Sequence, residues 1–167
     1  RRKPCEAPRP GALWQAADAG HGRIVQVLGN HPCVDTLAEL EHRRSFDQKR
    51  VNALHAASWH GHLPVVQAIL GLSTLGGGAH GAAINAKTSG KHQGTALHWA
   101  LLQHHEGVAR RLLRSAAFTA VNAVDGLGRT ALHIACQEQL EEISIEIIRS
   151  PRFSRHRHRR GDFSGRT

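Results

Sequence analysis

Histidine is the most plentiful candidate for metal binding or acid-base chemistry in this chain, with fourteen copies. A zinc site needs several such side chains to converge on one point. His60 and His62 are two residues apart, a spacing that turns their rings about 200° away from each other on one helix. The adjacent pair His104 and His105 diverges in the same way. The spacing therefore predicts no metal site and no bound cofactor.

A thiol and an imidazole lie close together in the C-terminal part of the sequence. Cys136 follows His133 by three residues, so the two could meet on one helix surface and form a thiol-base pair. However, Cys136 comes directly after Ala135 in a run of small residues, which is ordinarily a packing position. A buried thiol is inert, so the sequence predicts a structural cysteine.

Two short motifs with known chemistry are incomplete or weak. Gly90 and Lys91 suggest a phosphate loop, but Asn85 stands where that loop needs its first glycine, and His92 stands where it needs Ser or Thr. The tripeptide at 160–162 spells an adhesion motif, yet such a triplet arises readily by chance in an arginine-rich segment. No catalytic constellation converges, and the sequence predicts that the protein is not an enzyme.

Four similar hexapeptides organise the chain. TALHWA at 95–100 and TALHIA at 130–135 are the clearest, NALHAA at 52–57 is a third, and GALWQA at 11–16 is degenerate, with Trp14 in the place of histidine. Self-similarity at a period of about 35 to 43 residues is typical of stacked repeats. Each copy opens a segment with apolar residues at helical spacing.

These hexapeptides resemble the Thr-Pro-Leu-His-x-Ala pattern of the ankyrin repeat. The resemblance implies an all-α fold, a solenoid of stacked helix-turn-helix units with β-turn fingers. It also implies that the motif histidines, His55, His98 and His133, are structural and bond backbone groups between neighbouring turns. The best finger is VNAVDGLGRTALH at 121–133, where Asp125 and two glycines supply the turn and Thr130 can cap the next helix.

The repeats divide the chain into units at about 11–46, 47–86, 87–123 and 124–150. Residues 1–10 form a mobile basic arm and residues 151–167 a disordered arginine-rich tail in this interpretation. In the first unit, residues 34–40 could add a helical turn, and Gly20 can end the first helix in the left-handed conformation. Arg50 and Asn52 depart from the family pattern where the second unit begins. The glycine-rich segment 71–83 predicts a long flexible loop.

The last helix is unusual for the end of a stack. Leu140, Ile143 and Ile147 make one apolar face, whereas Ile145 and Ile148 lie off it. A terminal unit is expected to be polar on its outer side. Either another repeat or a binding partner is expected to cover these isoleucines.

The net charge of +9 comes entirely from the two ends of the chain. Residues 11–148 hold eleven Lys and Arg against eleven Asp and Glu, while residues 149–167 hold seven arginines against one aspartate. The tail could act in nuclear import, bind nucleic acid or anionic lipid, or simply be solvated.

Three cysteines without a pattern favour a reducing, intracellular compartment, cytoplasmic or nuclear. No apolar run reaches the roughly 20 residues of a membrane span.

The primary hypothesis is a scaffold or adaptor that binds a protein partner, with polyanion binding by the tail as the alternative. The resemblance implies that the partner contacts the fingers and the exposed late positions of the first helices, on the concave side. Carried onto this sequence, the helix positions are Trp59, His60, Leu102, Gln103, Gln137 and Glu138, and the finger positions are Lys91, Leu127 and Arg129. Trp59 could instead pack against a neighbouring unit, as expected for Trp99.

Overall fold

The computed structural model describes residues 11–31, 44–46, 49–75, 80–89 and 93–153. Four helix pairs follow one another along these ranges. The helices are α1 (Ala12–Asp18), α2 (Gly22–Gly29), α3 (Ala53–Trp59), α4 (Leu63–Leu75), α5 (His80–Ile84), α6 (Ala96–Leu102), α7 (Glu106–Arg114), α8 (Ala131–Gln137) and α9 (Glu141–Arg149). The predicted extra turn at 34–40, the arm at 1–10 and the tail beyond residue 153 lie outside the described residues.

The helices form two layers. The first helix of each pair contacts the first helix of the next, giving a layer of α1, α3, α6 and α8, and the second helices α2, α4, α7 and α9 form the other. Within each pair the two helices also pack on each other. This grid confirms the predicted all-α stack, in which each unit buries its apolar face against its neighbours.

The repeated motif forms the start of each first helix from the second unit onward. Asn52, Thr95 and Thr130 are N-caps, and the histidine three residues later completes a capping box with each of them. In the second unit, Oδ1 of Asn52 accepts from His55 N at 3.0 Å, and Nδ1 of His55 accepts from Asn52 N at 3.4 Å. These bonds satisfy backbone N–H groups that a helix start leaves unpaired.

The turn between first and second helices relies on a left-handed residue. Gly20 and Gly61 have φ of 79° and 73°, as predicted for Gly20. His104 and Gln139 occupy the corresponding place in the third and fourth units, each with φ of 58° despite having a side chain. Such a backbone is strained for any residue except glycine.

Small and branched apolar residues fill the space between the layers. Leu13, Leu54 and Leu97 come from the motif itself and are almost completely buried. Alanines at the following positions, such as Ala57 and Ala100, leave no room for solvent between first helices. Burial of these apolar residues, at positions that the helical period predicts, therefore stabilises the stack.

Two of the connections between units form fingers with strand pairing. Strands β1 (Arg44–Phe46) and β2 (Lys49–Val51) are antiparallel, so the atypical entry at Arg50 is a short hairpin. In the fourth unit, Val124 pairs with Thr130 across the turn that the sequence predicted.

Two predictions about irregular segments are wrong. The expected flexible loop at 71–83 is partly helical, because α4 continues to Leu75 and α5 begins at His80. The expected disorder does not include residues 151–153, since Nη1 of Arg152 donates to the carbonyls of Ser115 and Phe118 at 2.8 and 3.3 Å. Among the described residues, no helix combines the length and apolar character that a membrane crossing requires.

Candidate functional site

The C-terminal ends of the four first helices lie side by side. Nε2 of His62 lies 3.1 Å from the carbonyl of Asp18, and Nε2 of His105 lies 3.0 Å from that of Trp59, so the turns of the second and third units are each bonded to the helix end of the preceding unit. We call the exposed and half-buried residues at these ends the helix-end row. Its members are Asp18, Trp59, His60, Leu102, Gln103, Gln137 and Glu138.

Trp59 is half-buried at the second helix end. Its ring meets that of Trp99 edge-on, with centroids 4.9 Å apart and planes at 65°. Trp99 is only 6% exposed, as predicted, and anchors this contact from the next unit. Trp59 therefore combines the two roles considered from the sequence: its ring packs on Trp99 of the neighbouring unit, and the residue remains partly exposed.

A shallow groove runs beside Trp59. It is lined mainly by Trp14, Val51, His55 and Ala56, together with Asp18 and His60, and its enclosed space is about 20 Å³. That space admits one water-sized group and no side chain. A partner can therefore lie across the groove but cannot insert deeply into it.

Two contacts between a carboxylate and a histidine ring cross between units at the row. Oδ1 of Asp18 lies 3.3 Å from Nε2 of His60, and Oε2 of Glu138 lies 3.3 Å from Nε2 of His104. His60 and Glu138 were among the predicted contact residues, whereas Asp18 and His104 were not. The sequence contained a signal for Asp18, because this residue ends its helix at the same place in the repeat as Trp59 does.

The third helix end is less polar. Leu102 is half-buried and packs on the core, and Gln103 follows it as the C-cap of α6. Leu102 therefore adds apolar surface to the row next to the polar amide of Gln103.

The finger of the fourth unit is held rigidly by its aspartate. Oδ1 of Asp125 accepts from Leu127 N at 2.9 Å and from Arg129 N at 2.8 Å, and Oδ2 accepts from Arg129 Nε at 3.0 Å. Burial alone would raise the pKa of Asp125, but these hydrogen bonds and the guanidinium charge outweigh it and hold the pKa below its ordinary value.

These hydrogen bonds determine which of the predicted finger side chains a partner can contact. Leu127 is 64% exposed at the tip. Arg129 is bound to Asp125, and its Nη1 also donates to Oε1 of Gln137 at 3.2 Å, so finger and helix end are tied together. Lys91 lies outside the described residues.

The motif histidines differ in their surroundings. Nε2 of His55 lies 3.0 Å from the carbonyl of Ala86 in the following finger, the structural role that the resemblance implied. Burial, the largest influence, lowers the pKa of His98, although the charge of Asp125 and hydrogen bonding to the backbone of Arg129 and Ala123 act the other way. His133 is exposed, since no further unit of the described chain covers it.

The prediction of a buried Cys136 is wrong. Its thiol is exposed, and Sγ lies 3.9 Å from Oγ of Ser144. The same end of the stack exposes Ile145 and Ile148, each at 49%. Within the described ranges, no three His, Cys, Asp or Glu side chains are grouped closely enough to hold a metal ion.

Comparison with known proteins supports this architecture. Residues 79–150 match a family model described as ankyrin repeats in three copies. The chain is also similar to one in the crystal structure of the yeast ribosomal protein Rps3 in complex with its chaperone Yar1, with a TM-score of 0.66 and 22% sequence identity. That alignment covers 85% of this chain and 92% of the other, so the likeness of fold extends beyond the residues of the family match.

Proposed function

We propose that this protein is a non-enzymatic interaction module, a scaffold or adaptor that binds a protein partner, because residues 79–150 match the ankyrin-repeat model. The partner contacts the helix-end row and the adjoining fingers. The observation that carries the proposal is Trp59, a partly exposed tryptophan that packs at the edge of the buried core. Tryptophan is enriched where protein interfaces concentrate their binding energy.

The chemistry of the row supports this assignment. Its apolar members, Trp59 and Leu102, lie beside polar residues such as Gln103 and Gln137, which is the mixture typical of an interface core with a polar rim. The groove beside Trp59 is too small to hold a substrate. A broad contact surface accounts for the row better than a reaction does.

The experiment uses site-specific photo-crosslinking in the full chain. The photoreactive amino acid p-benzoylphenylalanine replaces Gln103 in the row, or Gln67, which is exposed on the second-helix layer, as the matched control. We expect discrete adducts with a partner in native extract from position 103 and none from position 67. The same adducts from both positions, or none from position 103, would remove the proposed surface.

Charge distribution supports a second candidate function. Residues 149–167 hold seven arginines against one aspartate, while residues 11–148 are neutral in sum. We propose polyanion binding by this segment as the alternative, with nucleic acid or anionic lipid as the ligand. Replacing Arg155, Arg157, Arg159 and Arg160 by glutamine in the full chain should abolish salt-sensitive binding to DNA and to anionic vesicles. Retained binding would contradict it.

A further inference from the structure

The four first helices carry an unusual set of charges. None of them contains Lys or Arg, and Asp18 is the only charged residue within them apart from histidine. Glu138 follows directly at the end of α8. In contrast, the second helices α7 and α9 contain four arginines and four glutamates, and two of these glutamates, Glu106 and Glu141, stand at the helix starts. The basic side chains of the helical stack are thus concentrated in the second-helix layer.

Residues in the short turns beside the row add to this asymmetry. Glu106 and Glu141 begin second helices next to the row, and Arg23 is the basic residue at the corresponding start of α2. All three are exposed. Counting histidine as neutral and including Asp125 and Arg129, whose guanidinium donates to Gln137 of the row, five carboxylates face two guanidinium groups along this edge, so the edge is acidic although the whole chain is basic.

The carboxylates of Asp18 and Glu138 remain accessible beside their histidine partners. The side chain of Asp18 is 42% exposed and that of His60 is 45% exposed. At the other end, the side chain of Glu138 is 24% exposed beside His104. A partner's cation can therefore reach both carboxylates without breaking into the core.

Trp59 supplies a second property of the surface. A guanidinium or ammonium over an indole face is attracted by the ring, and a guanidinium can also lie flat on it. Because the groove admits only a water-sized group, a planar cation fits better on top of the ring than an apolar side chain fits inside. Asp18, which lines the same groove, would pair with that cation.

We infer that the helix-end row binds a cationic segment of a partner protein, with one arginine or lysine on Trp59 beside Asp18 and another near Glu138. This inference rests on the proposed interaction function. Neighbouring helices pack about 8 to 10 Å apart, so the three steps from Asp18 to Glu138 span about 24 to 30 Å. An extended chain covers about 3.3 to 3.6 Å per residue, which places the two basic residues about eight positions apart. The acidic edge repels nucleic acid.

The test measures binding of a defined peptide to the full chain by fluorescence anisotropy. The probe is an extended peptide of about nine residues, with two arginines at each end and alternating alanine and leucine between them. The control peptide has glutamates in place of the arginines. We expect the arginine peptide to bind, the glutamate peptide not to bind, and binding to weaken as salt is raised to about 0.5 M.

Substitutions then locate the contact. Asp18→Asn and Glu138→Gln should each weaken binding about three- to fivefold, as expected for exposed charge pairs, and Trp59→Leu should weaken it about tenfold. Glu142→Gln removes one charge from the second-helix layer and should change binding less than about twofold. Circular dichroism of each variant would confirm that the helices are intact.

The outcomes separate this inference from the proposed function. Equal binding of both peptides, or equal effects of Glu142→Gln and Asp18→Asn, would refute a cationic partner while leaving adducts from position 103 intact. Loss of those adducts would refute the interaction surface itself. If deletion of residues 154–167 tightens peptide binding, the chain's own arginine-rich segment occupies the row, and the assignment to a partner is wrong.

Discussion

Gly61 offers a direct test of how neighbouring units lock together. Its φ is 73°, and an added Cβ would lie only 2.5 Å from Nδ1 of the His105 ring in the next unit. Gly128 has nearly the same φ, 74°, but nothing lies within 4 Å of its added Cβ. Comparing alanine substitutions at the two glycines therefore separates the cost of backbone strain from the cost of crowding.

The expected magnitudes follow from these contacts. Gly128→Ala should cost about 1 to 2 kcal/mol, the strain of a left-handed alanine. Gly61→Ala carries the same strain and also displaces the His105 ring, which adds about 1 to 3 kcal/mol of overpacking. That displacement includes the hydrogen bond from the ring to the Trp59 carbonyl, which is worth about 1 kcal/mol. We therefore expect about 2 to 5 kcal/mol for Gly61→Ala.

A double-mutant cycle with His105→Ala isolates the crowding. Once the ring is gone, Gly61→Ala should cost no more than Gly128→Ala does. Urea denaturation followed by far-ultraviolet circular dichroism gives the free energy of unfolding for all four proteins. A coupling energy below about 0.5 kcal/mol would show that Gly61 is required only for its backbone conformation. It would refute the idea that close packing of His105 on Gly61 locks the two units together.

Four further predictions use the same measurement of unfolding. Gln139→Gly should stabilise by about 0.5 to 1 kcal/mol, because relief of its left-handed strain exceeds the added entropy of the unfolded chain; no gain would argue against strain there. Asn85→Ala should cost about 2 to 4 kcal/mol, because its amide makes hydrogen bonds to Gly81, Ala117, Thr119 and Ala120 that join two units; a cost below about 1 kcal/mol would contradict this. Trp59→Ala should cost about 1 to 2 kcal/mol and Trp99→Ala about 3 to 5 kcal/mol, since only Trp99 is buried; equal costs would place Trp59 in the core. Because burial holds the pKa of His98 below its ordinary value, the unfolded chain binds its proton first, and stability should fall as pH drops below about 6.5. This slope should be smaller in His98→Asn, and an unchanged slope would exclude His98 as its source.

The motif residues were predictable because their partners are local. Thr130 caps α8 through contacts with His133, three residues away, and the same spacing recurs in the second and third units. A pattern that repeats at this range fixes helix starts regardless of what the rest of the chain does. The buried leucines follow in the same way from their place in the helical period.

The helical continuation of α4 could not be predicted from local preferences. Glycine-rich sequence disfavours helix, yet Leu72 in this part of the helix is 5% exposed. A Cβ added to Gly29 of α2 would lie 2.2 Å from Cδ1 of Leu72. Packing between second helices at this close approach therefore outweighs the weak propensity of the segment. That information resides in α2, more than forty positions earlier in the chain.

Exposure of Cys136 was missed for a related reason. Its sequence position is one that packs when another unit follows, and the described stack has no such unit beyond α8 and α9. The period of a repeat predicts which side of a helix faces the next unit but not whether that side is covered. Because Ile145 and Cys136 line the same groove, a unit or partner packed on Ile145 would also cover this thiol.

The helix-end row has positions that the repeat pattern predicts and contacts that only three-dimensional packing reveals. Equivalent positions share a place in the repeat, so Asp18 corresponds to Trp59, but its carboxylate contacts His60, one position later. Glu138 is likewise paired diagonally, with His104. Comparison of aligned positions therefore finds the surface but not its charge pairs. Because these pairs leave both carboxylates partly in solvent, the acidic character of the row appears only when the helix ends are brought together in the folded stack.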